Sequence, residues 1–266
     1  MRLTIAGLQH PGHPGDVDAN LAVVAEAARE ARARGADLLV TPEMFVTGYN
    51  IGDRVAELAR RPLVPEVAKV AAEAGVAIVA GLPERLEDGT VANTALLVDE
   101  TGAELARYRK THLFSALDQT LFVAGTGLPA PVTYRGVRLA LLICYDVEFP
   151  ETVRAAALAG AHVVVVPTAQ MEPFAFVAET LIPVRAWENQ VYVAYVNRSG
   201  EEGDLRYVGR SSIAAPSGVV LDALAPSTPT GLVVATVDTD VVERAQRDNP
   251  YLADLRPELY QARRPS

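Results

Sequence analysis

The sequence predicts an α/β fold with a mixed β-sheet, and three patterns support this prediction. Short apolar runs alternate with Ala-rich amphipathic segments, an order typical of parallel strands joined by helices. Within residues 94–109, two strand-like stretches flank an Asp-Glu-Thr-Gly turn, which indicates an antiparallel hairpin. Residues 35–42 resemble residues 160–167, and residues 2–5 resemble residues 138–141. This weak repeat favours two similar halves that pack face to face.

The composition describes a chain that can bury a large core. Of the 266 residues, 50% are hydrophobic and 21% are charged, which argues against disorder. The 24 Lys and Arg and the 33 Asp and Glu give a formal net charge of −9. Binding to nucleic acid or to an anionic membrane is therefore not expected. We predict a single domain over residues 1–266, in which residues 249–266 form an extended C-terminal tail.

Three features predict a cytoplasmic protein. The chain has one cysteine, Cys144, which excludes an internal disulfide. Its first residues lack the basic region and the long apolar segment of a signal peptide. No run of the sequence approaches the roughly 18 apolar residues that a membrane-spanning helix needs. We therefore expect no membrane association.

The first half of the chain shows clear strand and helix signals. A Pro/Gly-rich loop ends the first strand, and its His10 and His13 lack the neighbouring cysteines or carboxylates of a metal site. Asp16 or Asp18 can cap the first helix, and Gly35 ends it. The same reasoning predicts the following elements: strands at 2–9, 37–41 and 76–81, helices at 16–34 and 62–75, and a hairpin of 94–99 with 104–109.

The second half begins with two strands around Gly136 and continues with more hairpins than the first. Pro183 interrupts an otherwise helical segment and predicts a kink or a boundary there. Residues 199–203 are polar and predict a turn. The remaining elements are expected as follows: helices at 150–158, 172–189 and 241–248, and strands at 162–167, 191–197, 211–215, 218–224 and 231–238.

Three predicted strands are followed by a side chain that can take part in catalysis. These side chains are the carboxylate of Glu43, the ammonium of Lys110 and the thiol of Cys144. The carboxyl ends of strands are where open α/β sheets bind ligands. A cysteine attacks an acyl carbon best as a thiolate, so a base must take its proton and donors must stabilise the oxyanion. Glu43 could serve as the base that takes the thiol proton, and Lys110 could serve as a donor to the oxyanion.

The sequence leaves two other interpretations of Cys144 open. A free cysteine often serves only as a small buried hydrophobe. A cysteine–histidine pair with His112 or His162 is a second alternative, although neither histidine has a distinctive context in the sequence.

Three segments resemble the signatures of the nitrilase superfamily of carbon–nitrogen hydrolases, and their order and spacing agree over nearly the whole chain. The segments are Thr41-Pro42-Glu43, Tyr108-Arg109-Lys110 and the stretch from Ile143-Cys144-Tyr145-Asp146 to Glu151. The resemblance implies a four-layer αββα sandwich of two mixed β-sheets flanked by helices. It also implies Glu43 as base, Cys144 as nucleophile, and Lys110 with the Tyr145 backbone N–H as oxyanion donors. Neither a metal nor an organic cofactor is implied.

One departure from the family pattern concerns a second glutamate that many members carry shortly after the catalytic lysine. This chain has Asp118 eight residues after Lys110, and an exposed loop carboxylate is an equal alternative for it. Tyr49 and Trp187 are candidates for the acyl pocket, since small-molecule sites recruit aromatic side chains. Core packing is the alternative for both.

The resemblance implies hydrolysis of a small carboxylic amide through a cysteine thioester. Tyr145-Asp146 after the cysteine favours amidases, because nitrilases of this family generally have Trp-Glu there. N-carbamoyl hydrolysis is the second possibility, followed by nitrile cleavage, and a non-catalytic binding protein is a further alternative. The family commonly forms dimers through the segment after the cysteine, so a homodimer or a larger homo-oligomer is expected.

Overall fold

A computed structural model describes residues 1–259. Its strands are β1 (Arg2–Gln9), β2 (Leu38–Val40), β3 (Ala77–Arg85), β4 (Val91–Val98), β5 (Glu104–Arg109), β6 (Val132–Tyr134), β7 (Val137–Leu141), β8 (Val163–Thr168), β9 (Tyr192–Asn197), β10 (Ser199–Glu202), β11 (Leu205–Val208), β12 (Ser212–Ala214), β13 (Val220–Ala223) and β14 (Gly231–Asp238). Its α-helices are α1 (Val17–Ala33), α2 (Arg54–Leu58), α3 (Leu63–Ala74), α4 (Ser115–Gln119), α5 (Pro150–Leu158), α6 (Ile182–Asn189) and α7 (Thr239–Asp248).

Two six-stranded sheets form the centre of the molecule. The strand order is β14-β1-β2-β3-β4-β5 in the first sheet and β13-β12-β9-β8-β7-β6 in the second. Each sheet has three neighbouring parallel strands, β1-β2-β3 and β7-β8-β9, and antiparallel strands at its edges. The mixed sheets are therefore confirmed. The segments that resemble each other in the sequence form strands at equivalent positions of the two sheets, β1 with β7 and β2 with β8.

The two sheets pack face to face and helices cover their outer faces. One core cluster joins Ile5 and Leu38 of the first sheet to Val163 and Val193 of the second. A second cluster packs α1 and α3 against the outer face of the first sheet, and α6 packs on β9 and β12 of the second. This arrangement confirms the predicted αββα sandwich. Burial of these apolar side chains is the main stabilising contribution to such a core.

Local signals account for several elements whose bounds match the prediction. The Asp16 carboxylate caps α1 by accepting a hydrogen bond from the Ala19 N–H at 3.0 Å. Gly75 ends α3 in the left-handed conformation, with φ of 64°. Pro150 begins α5, where the missing N–H costs no hydrogen bond.

Two predicted segments differ in the structure. The polar turn expected at 199–203 is instead the start of the β10–β11 hairpin. The helix expected at 172–189 begins only at residue 175, residues 177–181 form a π-helical turn, and α6 follows from Ile182 with Pro183 in its first turn. A proline is tolerated there because its missing N–H has no partner in the first turn.

The described part of the tail, residues 249–259, contains a turn at residues 250–254 and a short 3₁₀ turn at Pro257–Leu259. Tyr251 packs its ring edge-on against Trp187 of α6, with 6.3 Å between the ring centroids. Residues 260–266 of the predicted tail lie outside the described residues. No helix within residues 1–259 has the length and apolar character needed to cross a membrane.

Candidate active site

Glu43 lies in the loop after β2 and is fully buried. The neighbouring strand β3 holds this loop closely, since the Gly81 N–H donates to the Thr41 hydroxyl at 3.1 Å. A Cβ on Gly81 would lie 2.4 Å from the Pro42 carbonyl oxygen and 2.8 Å from the Glu43 Cα. Glycine is therefore required at position 81 so that the backbone carrying Glu43 can approach the strand.

Lys110 follows β5 and is also fully buried. Its ammonium donates to Glu43 Oε1 at 2.7 Å and to Asp118 Oδ2 at 2.6 Å. Asp118 in α4 is buried as well, and its Oδ1 accepts a hydrogen bond from the Tyr49 hydroxyl at 2.8 Å. The Lys110 ammonium lies 5.8 Å from the centroid of the Tyr49 ring. One cation is thus fixed between two carboxylates, which is the pairing that a buried charge needs.

Cys144 occupies a sharp turn between β7 and α5. It begins a 3₁₀ turn, Cys144–Glu148, and adopts a left-handed φ of 45°. Such a conformation is unusual for a residue with a Cβ and costs about 1–3 kcal/mol, so the surrounding contacts must hold it. The thiol lies 3.7 Å from Gln170 Oε1, in the loop after β8.

Asp146 connects the cysteine turn to the segment that carries Lys110. Its buried carboxylate accepts hydrogen bonds from the Ile143 N–H, the Tyr108 hydroxyl, the Thr111 hydroxyl and the His112 N–H, at 2.8–3.2 Å. This network joins the ends of β5 and β7, strands of different sheets. The relative position of Lys110 and Cys144 is therefore fixed by direct contacts.

Burial and the neighbouring charges together shift the pKa values of these three groups. Burial raises the pKa of Glu43, and the Lys110 charge partly offsets this effect. Burial alone would lower the pKa of Lys110, but the charges of Glu43 and Asp118 raise it above its usual value. Burial and the Glu43 charge raise the pKa of the Cys144 thiol well above 9.0, although Lys110 acts in the opposite direction. The thiol is therefore neutral near pH 7 until a base takes its proton.

A narrow cavity opens beside the thiol. Its aromatic wall is formed by Tyr49, Phe114, Tyr145 and Phe174. The rest of the lining comprises Cys144, Glu148, Gln170 and Met171. The cavity has room for roughly one water molecule. Phe174 is 44% exposed at the rim, so a modest shift of this ring would enlarge the cavity.

The structure brings together six of the seven site residues named from the sequence, including Tyr145 in the cavity wall, and leaves one apart. Glu43, Lys110, Asp118 and Tyr49 form one buried cluster with Cys144. The exposed-loop alternative for Asp118 is wrong, because its carboxylate binds Lys110 in the interior.

Trp187 is not at the site. It lies on α6 with 44% of its surface exposed and contacts Tyr251, so its prediction as a pocket residue is corrected. Helical periodicity explains the difference, since residues 182, 185, 186 and 189 of α6 face the interior.

Neither histidine considered as a partner for the thiol takes that place. His112 stacks on Phe149, with ring centroids 4.0 Å apart, and its Nδ1 lies 2.8 Å from the Asp146 carboxylate. His162 Nδ1 accepts a hydrogen bond from the Arg138 N–H at 3.1 Å. Both histidines therefore have structural partners.

Three site residues escaped the sequence reasoning. Asn93 of β4 donates to Glu43 Oε1 at 2.7 Å, and a polar side chain within an otherwise apolar strand was the available signal. Gln170 follows β8 at the same sheet edge as Cys144, where a strand-end argument applies equally. Glu148 ends the 3₁₀ turn after Cys144 and lines the cavity. The register of a 3₁₀ turn cannot be deduced from spacing alone.

The chain matches the family model described as carbon–nitrogen hydrolase over residues 3–247. It is 47% identical over 262 residues to a hydrolase in the pqqF 5′ region of Pseudomonas protegens, covering 97% of this chain and 90% of that one. It is 37% identical over 254 residues to an (R)-stereoselective amidase of a Pseudomonas species, covering 94% and 90% of the two chains. The chain belongs to the carbon–nitrogen hydrolase family of the nitrilase superfamily. It is an enzyme that acts on non-peptide C–N bonds.

Solved structures agree with this assignment. The amidase from Nesterenkonia sp. AN1 superposes with a TM-score of 0.87 at 36% identity, covering 97% of this chain and 96% of that one. That structure is a glutamate variant with the acetamide moiety of fluoroacetamide added covalently at the active-site cysteine. A cysteine-to-alanine variant of the same amidase is in complex with butyramide.

Proposed function

We propose that this enzyme hydrolyses small carboxylic amides to carboxylate and ammonia through a thioester on Cys144. The observation that carries the proposal is the buried cluster in which Lys110 binds Glu43 beside the cysteine turn, at the end of one narrow cavity. The similarity to amidases that bind butyramide, or carry an acetamide moiety on cysteine, supports the same reaction type.

In the first half of the reaction, Glu43 accepts the thiol proton while Cys144 Sγ forms a bond to the amide carbon. The carbonyl electron pair moves onto oxygen, where Lys110 Nζ and the Tyr145 backbone N–H stabilise the negative charge. An N–H in the first turn of a helix has no partner within that turn and is free to donate. When the intermediate collapses, the C–N bond breaks and Glu43 returns its proton to the departing nitrogen.

In the second half, water cleaves the thioester. Glu43 takes a proton from the water as its oxygen attacks the acyl carbon, and the same donors stabilise the second oxyanion. The C–S bond then breaks, the carboxylic acid leaves and Cys144 regains its proton. Asp118 holds Lys110 in place throughout, which makes it a positioning residue.

An ammonia-release assay tests this proposal against its alternatives. The substrates are butyramide, an N-carbamoyl amino acid and butyronitrile, and the variants are Cys144→Ala and Glu43→Gln. We expect turnover of butyramide by the wild type, no turnover by Cys144→Ala, and a loss of about 10²–10⁴ in kcat for Glu43→Gln. Preference for the carbamoyl compound or the nitrile would identify the alternative reactions. No turnover of any of the three would contradict the proposed reaction and both of its alternatives.

We also propose a homodimer in the cytoplasm. Leu158 of α5 and Val184 and Trp187 of α6 are each more than 40% exposed, and exposed apolar side chains on neighbouring helices are typical of protein contacts. A reducing compartment suits a reaction that needs a free thiol.

A further inference from the structure

Glu148 is a charged residue that lines the cavity and has no part in the proposed reaction. It ends the 3₁₀ turn that begins at Cys144 and is half-buried. Of the residues within 1–259 that line the cavity, Glu148 alone carries a charge. Glu148 therefore lies beside any acyl chain that extends from the thiol into this cavity.

The cations whose charge reaches Glu148 are already paired with other groups. These cations are Lys110 and Arg185. Lys110 forms its ion pairs with Glu43 and Asp118. Arg185 bonds the backbone carbonyls of residues 147 and 148 and forms an ion pair with Glu188 at 2.7 Å. The Glu148 carboxylate has the Gln170 amide as a hydrogen-bond partner.

The charge around the cavity is consequently negative. Near the thiol, Glu43, Asp118 and Glu148 contribute three carboxyl groups and Lys110 contributes one ammonium, while the Arg185 guanidinium is paired with Glu188. Burial raises the pKa of Glu148, and the Gln170 hydrogen bond and the charges of Lys110 and Arg185 offset this effect only in part. A ligand cation beside Glu148 would favour its charged form, whereas a ligand carboxylate would be repelled.

We propose that Glu148 selects the acyl chain, so that the enzyme prefers amides bearing an ammonium group and rejects amides bearing a carboxylate. The proposal rests on amide hydrolysis as the function and names the substrate class within it. The proposal also predicts that N-carbamoyl amino acids are poor substrates, since their carboxylate would enter the same negative cavity. The kcat/KM values for neutral amides should lie between those for the two charged classes.

A matched substrate series tests the role of Glu148. Butyramide, β-alaninamide and succinamate carry a methyl, an ammonium and a carboxylate group at the same position of the acyl chain. Valeramide and 4-aminobutyramide form a second pair that is one methylene longer. The kcat/KM values of the wild type and Glu148→Gln are measured at pH 7. Glu151→Gln is the matched control. Glu151 is exposed in α5, so this substitution removes the same charge outside the cavity.

We expect the wild type to favour at least one ammonium-bearing amide over its neutral match, and over succinamate, by about tenfold or more. Glu148→Gln should reduce the ammonium preference by a similar factor and raise kcat/KM for succinamate, while Glu151→Gln should leave the ratios unchanged. A wild type that prefers succinamate, or shows equal kcat/KM for the charged and neutral amides, would overturn the proposal without any variant.

The two proposals fail in different ways. If the wild type turns over no amide in the series, the proposed function is wrong. If it turns over butyramide while Glu148→Gln leaves every substrate ratio unchanged, only the role of Glu148 is wrong. Butyramide turnover by Glu148→Gln also reports that this variant is folded.

Discussion

Asp118 shows how one side chain can support several others. It lacks one methylene of the second glutamate that many family members carry, yet its two carboxylate oxygens bind the Lys110 ammonium and the Tyr49 hydroxyl. The Phe114 N–H also donates to Asp118 Oδ2, at 2.8 Å. The shorter side chain is therefore sufficient because α4 brings its backbone close to Lys110.

Replacing Asp118 is expected to disturb the oxyanion donor. Asp118→Asn removes a charge that holds the Lys110 ammonium, so kcat/KM for butyramide should fall by about 10²–10³. Tyr49→Phe is the matched control, since it removes one neutral donor from the same carboxylate and should cost about tenfold at most. Steady-state kinetics measure both. Wild-type kcat/KM in Asp118→Asn would contradict the assigned role of Asp118.

The Cys144 thiol gives a second prediction for a single residue. Since burial and the Glu43 charge raise its pKa well above 9.0, the thiolate should be absent at neutral pH. The ultraviolet absorbance of the thiolate, taken as the difference between wild type and Cys144→Ala, should appear only above pH 9. Thiolate absorbance at pH 7 would instead show a preformed ion pair with Lys110.

At the level of elements, β3 positions the loop that carries Glu43. Gly81→Ala would place a Cβ 2.6 Å from the Met44 backbone nitrogen and 2.4 Å from the Pro42 carbonyl, so the loop must move. We expect lower stability, by about 1–3 kcal/mol, and a large loss of kcat/KM. Gly127→Ala is the control, because a Cβ there meets no atom within 4 Å. Thermal unfolding and kinetics compare the two, and equal behaviour would exclude the proposed close approach.

Elements were predictable where local signals and packing agree. The bounds of β5 match because a four-residue turn precedes it, and Pro150 fixes the start of α5. The β10–β11 hairpin was missed because Ser-Gly-Glu-Glu has no apolar alternation. Its position depends on Glu202, whose buried carboxylate accepts hydrogen bonds from the Tyr49 and Asn50 N–H groups at 3.0 and 2.8 Å. Such long-range bonds leave no periodic pattern in the sequence.

The same distinction applies to the site. Glu43, Lys110 and Cys144 were found because each directly follows a predicted strand and the sheets align their ends. Asn93 and Glu148 were not found from the sequence. Asn93 lies within a strand, and the position of Glu148 depends on a 3₁₀ turn. The sequence therefore predicted the groups proposed to react better than the other residues around them.

At the scale of the whole molecule, the exposed apolar residues of α5 and α6 predict a dimer. Charged substitutions there, Val184→Glu and Trp187→Glu, should shift the protein toward monomers in sedimentation velocity at micromolar concentration. Leu128→Glu is the control, because Leu128 is 68% exposed on a loop outside these helices and should leave the dimer intact. A monomeric wild type at that concentration would contradict the predicted dimer.

The αββα sandwich explains how one cluster can draw on two halves of the chain. β2 and β5 of the first sheet lead to Glu43 and Lys110, and β7 of the second leads to Cys144. The face-to-face core fixes the sheets against each other, and Asp146 bonds across their ends. The proposed base, the cation and the thiol are thereby held together without a substrate, an arrangement that would lower the reorganisation the proposed reaction requires.

Hydroxylamine trapping tests the central claim, a thioester on Cys144, most directly. Hydroxylamine competes with water for an acyl-enzyme, so wild type with butyramide should form butyrohydroxamate at the expense of butyrate while ammonia is still released. Cys144→Ala should form neither product. If the wild type released ammonia and butyrate but formed no hydroxamate at any hydroxylamine concentration, water would be attacking the amide directly, and the covalent mechanism would be contradicted.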